Sequence, residues 1–386
     1  MGSGPSNHDY IDRLQQELVQ RDRELQEVRE QLQGQEQIAG AIQELREQLN
    51  VQEQIADANI ALQELREQLS GRVVGALVGG GACLFGAYMI KKIFFTDKSS
   101  HLNPEPWRLI HKTETDISKM KDIYLRKIAN INTNCNILLL GQAASGKSSF
   151  VNSCETALIQ EENICEPTIV LEGTSNSVTK RFKAYNLNVK DGDGQIRLPV
   201  RLFDCRGLLD KETGVHTQDI INICDGHIKD DYEIQPQASI NSDNEKFREN
   251  PGEEDKMHCV VYVIDAQNKS GYNFVGTDVK EQFEEVKRHL LRSGTPQLVL
   301  LTQIDRLGIK HMDRVFYDRR VKECCEMASS FLGFPLGCVL PQANYCEEVI
   351  PSEERDLITL FNIWKIMERA KYFVQRTSAG IPCENE

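Results

Sequence analysis

Residues 136–150, NILLLGQAASGKSSF, decide the fold of this chain. A run of apolar residues typical of a buried strand leads into G-x-x-x-x-G-K-S, from Gly141 to Ser148, and helix-compatible residues follow. A phosphate-binding loop requires this context, because the loop N–H groups and the positive end of the helix dipole both point at the phosphates. A glycine turn that happens to contain a lysine is the alternative. The stretch therefore predicts a nucleotide-binding α/β fold.

The loop supplies the first set of candidate site residues. Gly141 and Gly146 permit the backbone to wrap around phosphate oxygens. Lys147 is expected to reach the β and γ phosphates, and Ser148 is expected to bind Mg²⁺. The predicted nucleotide contacts of the loop are Gly141, Ala144, Ser145, Gly146, Lys147, Ser148 and Ser149.

A second motif lies downstream in LPVRLFDCRGL, residues 198–208. An alternating strand ends at Asp204, which forms with Gly207 the D-x-x-G that senses the γ phosphate. Between the two motifs, Thr179 leads into a strand and is the candidate for the switch threonine whose hydroxyl completes the metal shell. Thr174 competes for that role, and an ordinary polar loop residue is the alternative for Thr179. The predicted metal-site residues are therefore Ser148, Thr179 and Asp204.

The choice of base is predicted from two further strands, HCVVYVIDA at residues 258–266 and PQLVLLTQIDRL at residues 296–307. The second strand ends in Thr302, Gln303 and Asp305, where guanine-specific sites carry N/T-K-x-D. A carboxylate there accepts both N–H donors of guanine, whereas adenine presents no such pair, so GTP is predicted over ATP. Gln303 departs from the pattern, and weak affinity is expected because a lysine stem would cover the purine and brace the phosphate loop. A helix-capping aspartate is the alternative for Asp305.

Two further positions concern the base oxygen and the attacking water. The strand GCVLP, residues 337–341, precedes Asn344, which by its position is predicted to contact the base O6. In small GTPases a glutamine directly after D-x-x-G orients the attacking water, but this chain has Leu208 there. We therefore expect slow intrinsic turnover unless a second protomer supplies groups in trans.

Residues 11–70 are predicted to form a self-associating coiled coil, because apolar residues recur at intervals of three and four among Glu, Gln and Arg without proline. The phrases QEVREQL, QELREQL and QELREQL begin at Gln26, Gln43 and Gln63. Their offsets are not multiples of seven, so the heptad phase slips at each repeat. A single solvated helix with a narrow apolar stripe is the alternative.

Residues 73–90, VVGALVGGGACLFGAYMI, carry no charge and are flanked by Arg72, Lys91 and Lys92. At ~1.5 Å per residue the run is just long enough to cross a hydrocarbon core. The flanking lysines favour a cytosolic side for the residues that follow. A buried apolar hairpin or an oligomer core is the alternative. The sequence therefore predicts a membrane-associated protein with its nucleotide-binding part in the cytosol, or alternatively a soluble cytoplasmic one.

Composition narrows the classes of partner. The chain has 386 residues, with 45 Lys plus Arg against 58 Asp plus Glu and a net charge of −13. No global basic field is available to hold a nucleic-acid backbone, so nucleic acid is not a predicted partner. The twelve cysteines contain no C-x-x-C pair, and a reducing compartment fits them best.

Several segments together resemble the GTP-binding domain of the interferon-induced protein 44 family. The resemblance covers about residues 104–376 and is carried by EPW at residues 105–107, NILLLGQAASGKSSF, FDCRGL, DGHIKDDYEI, KMHCVVYVIDAQ, PQLVLLTQID and CVLPQANY. It implies a G domain in a cytosolic, infection-responsive protein with antiviral or antiproliferative roles. Family members usually carry a TLDc domain upstream, and the coiled coil and apolar segment take its place here.

The predicted fold class is α/β: a P-loop GTPase-like, doubly wound, mostly parallel sheet, preceded by a coiled coil and an apolar membrane-type helix. One antiparallel strand is expected around residues 181–189, and helices are expected to include 277–293 and 356–375. The predicted function is a slow, Mg²⁺-dependent GTPase that binds GTP and GDP and self-associates through the coiled coil and the G domain. The rival is a scaffold that binds nucleotide without turnover. The predicted segments are 1–10 (flexible N-terminus), 11–70 (coiled coil), 71–96 (transmembrane or membrane-inserted helix), 97–130 (linker and helical lead-in), 131–376 (G domain) and 377–386 (C-terminal tail).

Overall fold

A computed structural model of the chain describes residues 101–111, 114–168, 180–192, 194–208, 215–235, 238–267, 274–309 and 311–380. The chain divides into two units, Met1–Asp97 and Lys98–Glu386, and all the described residues lie in the second. The predicted coiled coil, the predicted membrane helix, Thr174 and Thr179 lie outside the described residues. Within the described ranges, no helix combines the length and the apolar character needed to cross a membrane.

The second unit alternates strands and helices along the chain. In order, they are α1 (Ile117–Ala129), β1 (Cys135–Gly141), α2 (Lys147–Ile159), β2 (Arg181–Asp191), β3 (Gly194–Asp204), α3 (Thr217–Cys224), β4 (Tyr232–Glu233), β5 (Cys259–Asp265), α4 (Thr277–Ser293), β6 (Gln297–Thr302), α5 (Arg319–Leu332), β7 (Val339–Pro341) and α6 (Glu353–Ser378). Short 3₁₀ helices occupy Glu253–Asp255, Ile304–Leu307, Met312–Arg314 and Leu336–Cys338.

The strands form a seven-stranded sheet in the order β4-β2-β3-β1-β5-β6-β7. The pairs β1–β3, β1–β5, β5–β6 and β6–β7 are parallel. Strand β2 runs antiparallel to both β3 and β4, as predicted for the segment around residues 181–189. The predicted mixed α/β architecture with a mostly parallel sheet is therefore confirmed.

Burial on both faces explains why the central strands read as unbroken apolar runs. All seven residues of β1 are buried, and so are the first six of β5. Parallel strands joined by crossover helices are covered on both sides, so an alternating pattern is not needed. On one side, α4 contributes an apolar stripe at helical spacing: Val279, Phe283, Val286 and Leu290. Helices α1 and α6 pack against each other through aromatic side chains: Tyr124 of α1 contacts Phe361 and Trp364 of α6.

A buried polar network closes the edge of the sheet where β1 and β5 begin. The Nδ1 atom of His258 accepts the backbone N–H of Asn136 at 2.9 Å, so its Nε2 carries the proton and donates to the Glu253 carbonyl at 3.1 Å. The Asn136 amide donates to the carbonyl of Glu254, and its oxygen accepts from Arg201 Nε at 3.1 Å. Burial lowers the pKa of His258, which fits the neutral tautomer that these bonds require.

At the opposite edge, the carboxyl ends of β1, β3, β5, β6 and β7 come together. Ligands of open α/β sheets bind in the crevice outside these ends. The phosphate loop follows β1, D-x-x-G follows β3, and the two predicted base-contacting segments follow β6 and β7. The sheet therefore gathers motifs that are far apart in the sequence.

Candidate nucleotide site

The phosphate loop approaches its neighbours so closely at Gly141 and Gly146 that a side chain would clash there. Gly146 has φ of +91°, and a Cβ atom there would lie 2.9 Å from Nδ2 of Asn344. A Cβ on Gly141 would lie 2.2 Å from the Val263 carbonyl oxygen. Ala144 also has a positive φ, 59°, which is uncommon for a residue other than glycine. The loop is thus wrapped tightly at the N-terminus of α2, as an anion site requires.

Lys147 is the cation of this loop. Its side chain is almost wholly buried, and its Nζ donates to the carbonyls of Gly141 at 3.0 Å and Gln142 at 2.8 Å. Burial lowers the pKa of Lys147, although the neighbouring Asp204 carboxylate opposes that shift. A buried ammonium is costly unless it is compensated by opposite charge, so the site favours an anion beside Nζ.

Ser148 and Asp204 meet next to the lysine. The Ser148 hydroxyl donates to Oδ2 of Asp204 at 2.5 Å, and Asp204 is buried at the end of β3. Thr168 lies against the same turn of α2, because its hydroxyl donates to the Ser148 carbonyl at 3.1 Å. Hydroxyl and carboxylate oxygens are the donors that Mg²⁺ prefers, and protein sites for this ion commonly use few side chains plus phosphate oxygens. The two oxygens present therefore fit a Mg²⁺ ion, while Thr179 lies outside the described residues.

The D-x-x-G segment lies directly on the phosphate loop. A Cβ on Gly207 would lie 2.5 Å from the Cα of Ala143, so glycine is required for this close approach. Leu208 N–H donates to the Gly141 carbonyl at 2.9 Å, and Ala143 N–H donates to the Leu208 carbonyl at 3.2 Å. The Leu208 side chain is 0% exposed. The position that a water-orienting glutamine would occupy is thus filled by an apolar side chain in the core.

Thr302 and Gln303 brace the loop from β6. The Thr302 hydroxyl donates to the carbonyl of Ser145 at 2.7 Å and is fully buried. The Gln303 amide donates to the carbonyl of Ala144 at 3.3 Å. The brace that we expected to be lost with the missing lysine is therefore provided by the glutamine amide. In guanine-specific sites the lysine at this position also covers the purine face. The Gln303 contact described here, to the Ala144 carbonyl, does not do so.

Ser145 and Ser149, both predicted nucleotide contacts, have buried side chains. Ser145 is buried, and among the described residues its Oγ has no hydrogen-bond partner. Ser149 is buried within α2, where its carbonyl accepts the Ser153 hydroxyl at 2.8 Å. Both residues lie in the loop or its helix, but the structure shows their side chains packed into protein.

Asn344 lies on the phosphate loop, and its predicted contact with base O6 stays a prediction. Its Nδ2 donates to the Gly146 carbonyl at 3.0 Å, and the side chain is buried. The next residue, Tyr345, is fixed by its hydroxyl, which donates to Oδ1 of Asp356 at 2.8 Å. Burial, more than any charge nearby, raises the pKa of Tyr345. The loop after β7 is therefore anchored to the phosphate loop through Asn344 and to α6 through Tyr345.

Asp305 follows β6 in the 3₁₀ helix Ile304–Leu307, and its side chain is 29% exposed. A cation lies near its carboxylate: Nη2 of Arg355 is 3.8 Å from Oδ2 of Asp305. Sequence reasoning missed Arg355, which stands 50 positions away on another element. The only local signal was an isolated basic residue among acidic ones in the first turn of α6, Glu353, Glu354 and Asp356.

Comparison with known proteins gives one group of relatives, and no family model matches the chain. The chain is 27% identical over 242 residues to interferon-induced protein 44 of Mus musculus, covering 62% of this chain and 55% of that protein. It is 28% identical over 242 residues to the Homo sapiens protein, covering 62% and 53%. Interferon-induced protein 44-like of Homo sapiens is 28% identical over 260 residues, covering 65% and 54%. The chain thus spans about half the length of the curated relatives it matches.

Solved structures of Toc33 from Arabidopsis thaliana give a weaker likeness. A dimerization-deficient mutant has a TM-score of 0.36 and 12% identity, covering 69% of this chain and 96% of that one. Toc33 in complex with GDP and Mg²⁺ has a TM-score of 0.36 and 13% identity, covering 66% and 91%. Similarity at this level does not establish a shared function. The sequence relatives, by contrast, confirm the resemblance of this chain to the interferon-induced protein 44 family.

Proposed function

We propose that this chain binds GTP and GDP together with Mg²⁺ at the loop from Gly141 to Ser148. One observation carries the proposal: a buried Lys147 ammonium lies beside a contacting Ser148–Asp204 pair at a helix N-terminus. The lysine and the loop N–H groups hold the phosphates, and Ser148 and Asp204 hold the metal. When bound, Mg²⁺ neutralises charge on the phosphate oxygens.

The preference for guanine rests on Asp305. Its side chain is partly exposed at the carboxyl end of β6, near the loop that follows β7. An ionised carboxylate there accepts the two N–H donors of a guanine edge. With adenine it would be left with no such donors, which disfavours ATP.

Turnover is proposed to be slow. The glutamine that orients water in small GTPases is replaced by Leu208, whose side chain is buried in the core. In the part of the chain that the structure describes, the residue after D-x-x-G therefore offers no polar group to orient the attacking water. The second candidate, a nucleotide-binding scaffold without turnover, is favoured by the same observation.

The biological setting is also a proposal. The relatives are named as interferon-induced proteins, which supports a role for this chain in the interferon response. The heptad-like pattern of residues 11–70 supports self-association through a coiled coil, with the G domain as a second contact. The uncharged run at residues 73–90 supports membrane association with the G domain in the cytosol, and a soluble cytoplasmic protein is the alternative.

Calorimetric titration of the full chain with Mg²⁺-GDP and Mg²⁺-GTP tests the proposed site. Lys147→Ala removes a charge-assisted phosphate contact and Ser148→Ala a metal ligand, so each should raise the Kd about tenfold or more. Chelation of Mg²⁺ should weaken wild-type binding and have less effect on Ser148→Ala. The control is Lys322→Ala, which removes a lysine that forms an ion pair with Glu326 across one turn of α5.

Unchanged Kd values in both loop variants would refute the site. Hydrolysis of radiolabelled GTP by the same wild-type preparation, with and without crosslinking of the oligomer, separates the two candidate functions. Measurable Mg²⁺-dependent phosphate release that disappears in Lys147→Ala supports the slow GTPase. Tight binding without release supports the scaffold.

A further inference from the structure

Arg355 occupies a position that its own helix does not explain. It lies in the first turn of α6, where the helix dipole favours anions and disfavours cations. Its neighbours Glu353, Glu354 and Asp356 satisfy that preference. Yet the Arg355 side chain is only 13% exposed, so it is held against the protein and not extended into water. Its contacts outside α6 must therefore account for its placement.

Those contacts join two loops. Nη1 of Arg355 donates to the Asn344 carbonyl at 2.8 Å, and Nη2 is 2.6 Å from Oε1 of Glu348. The guanidinium also lies 6.0 Å from the centre of the Tyr345 ring. The same nitrogen, Nη2, is 3.8 Å from Oδ2 of Asp305. One planar group thus connects the segment after β7 with the segment after β6, which a lysine ammonium could not do in two fixed directions.

Glu348 is held by its own neighbours. Its Oε2 accepts the backbone N–H groups of Cys346 at 2.9 Å and Glu347 at 3.2 Å. Burial by itself would raise the pKa of Glu348, but these N–H groups and Arg355 hold it below the usual value. The carboxylate is therefore ionised and fixed, and it anchors one arm of the Arg355 fork.

The distance from Nη2 of Arg355 to Oδ2 of Asp305, 3.8 Å, is longer than a direct hydrogen bond. Charge-assisted N–H···O bonds are about 2.7–2.9 Å long, so 3.8 Å attracts and orients the Asp305 carboxylate without taking its oxygen lone pairs. A direct bidentate pair would have consumed the same oxygens that a guanine edge needs. The carboxylate stays partly exposed and able to accept further donors.

We propose that Arg355 is a positioning residue for guanine recognition: its guanidinium sets the place of the Asp305 carboxylate and ties it to the loop after β7. The inference rests on the proposed function, since it assumes that Asp305 faces the base. Arg355 acts through Asp305 and is not itself a contact to the phosphates. Its loss should therefore change the choice of base and leave phosphate binding intact.

A double-mutant cycle in the full chain tests the proposal, with the Kd of Mg²⁺-GDP and of Mg²⁺-ADP measured by calorimetry for wild type, Arg355→Gln, Asp305→Asn and the double variant. Arg355→Gln should raise the Kd of Mg²⁺-GDP about tenfold and leave that of Mg²⁺-ADP within about twofold. In the Asp305→Asn background, Arg355→Gln should change the Kd of Mg²⁺-GDP by less than about twofold, because coupled residues are not additive.

The matched control is Lys365→Gln, which removes a cation on the same helix whose side chain is 40% exposed. If Arg355→Gln fails to fold, Arg355→Lys keeps the charge without the fork and should still lose part of the preference for GDP. Equal losses for GDP and ADP, or full additivity in the cycle, would overturn the positioning role. A wild-type chain that does not prefer GDP to ADP would overturn the proposed function itself, whereas preference retained in Arg355→Gln would overturn this inference alone.

Discussion

The buried position of Leu208 gives the sharpest test of how the D-x-x-G segment is arranged. Leu208→Gln places a glutamine where small GTPases carry the one that orients water, so a comparison of sequences alone would predict faster turnover. The structure predicts no gain in the rate of turnover. The Leu208 side chain is 0% exposed, and its backbone is tied to Gly141 and Ala143 on the phosphate loop. A glutamine there would enter the core and would not face the γ phosphate.

The expected loss of stability in Leu208→Gln has two sources, the lost burial of the leucine and the burial of a polar amide. Removing a fully buried leucine side chain loses about 1.5–3 kcal/mol of hydrophobic stabilisation. Burying an amide without compensating hydrogen bonds costs about 1–3 kcal/mol more. Leu208→Gln should therefore lower the free energy of unfolding by roughly 2.5–6 kcal/mol, with no rise in the rate of GTP turnover.

Urea denaturation and single-turnover hydrolysis measure both quantities on the same preparations. The control is Leu208→Met, which keeps volume and apolar character and should cost less than about 1.5 kcal/mol. If Leu208→Gln unfolded with wild-type free energy and released phosphate faster than wild type, the side chain would have to face the nucleotide. The interpretation of a closed, apolar position would then be refuted.

Three further perturbations probe the loop, the sheet and the N-terminal segment. Gly146 has a φ of +91°, and a Cβ there would lie 2.9 Å from Nδ2 of Asn344. Gly146→Ala should therefore lower the free energy of unfolding by about 1–3 kcal/mol and weaken Mg²⁺-GDP binding. Urea denaturation and calorimetry measure the two effects. Because burial depresses the pKa of His258 in the folded state, its contribution to stability is present above about pH 6.5 and is lost as pH falls, by at most ~1.4 kcal/mol per pH unit. Between about pH 5 and pH 7, the free energy of unfolding of His258→Gln should therefore change less with pH than that of wild type. Equal pH dependence in the two proteins would exclude this role for His258. Wild-type chain should sediment with membranes and resist carbonate extraction, whereas Leu77→Lys with Leu84→Lys should release it, since each charge costs about 2.5–3.5 kcal/mol at a helix centre; soluble wild-type protein would contradict membrane insertion.

Contiguous patterns made the fold predictable. The apolar runs of β1 and β5 are buried along their lengths, and the predicted helices 277–293 and 356–375 correspond to Thr277–Ser293 and Glu353–Ser378. Local hydrophobicity sets these elements, because each must cover or join the sheet. The phosphate loop was predictable for the same reason, since its motif lies between a strand and a helix.

Side-chain directions within the site were not predictable in this way. Asn344 contacts the carbonyl of Gly146, which is 198 residues away in sequence, and only the three-dimensional structure reveals that pairing. Gln303 braces Ala144 because its own backbone adopts a φ of 57°, a conformation that no local pattern specified. Arg355 reaches Asp305 from a different element. Each of these contacts depends on the register of the sheet, which a single sequence does not determine.

Base preference of the Asp305→Asn variant tests the central claim most directly. In competition binding with GTP, ATP and xanthosine triphosphate, wild-type protein should prefer GTP. Asp305→Asn should lose that preference and accept xanthosine triphosphate, because the amide offers an N–H donor where the carboxylate offered only acceptors. A wild-type preference for ATP, or a variant that still selects GTP, would contradict the account of a guanine-nucleotide site.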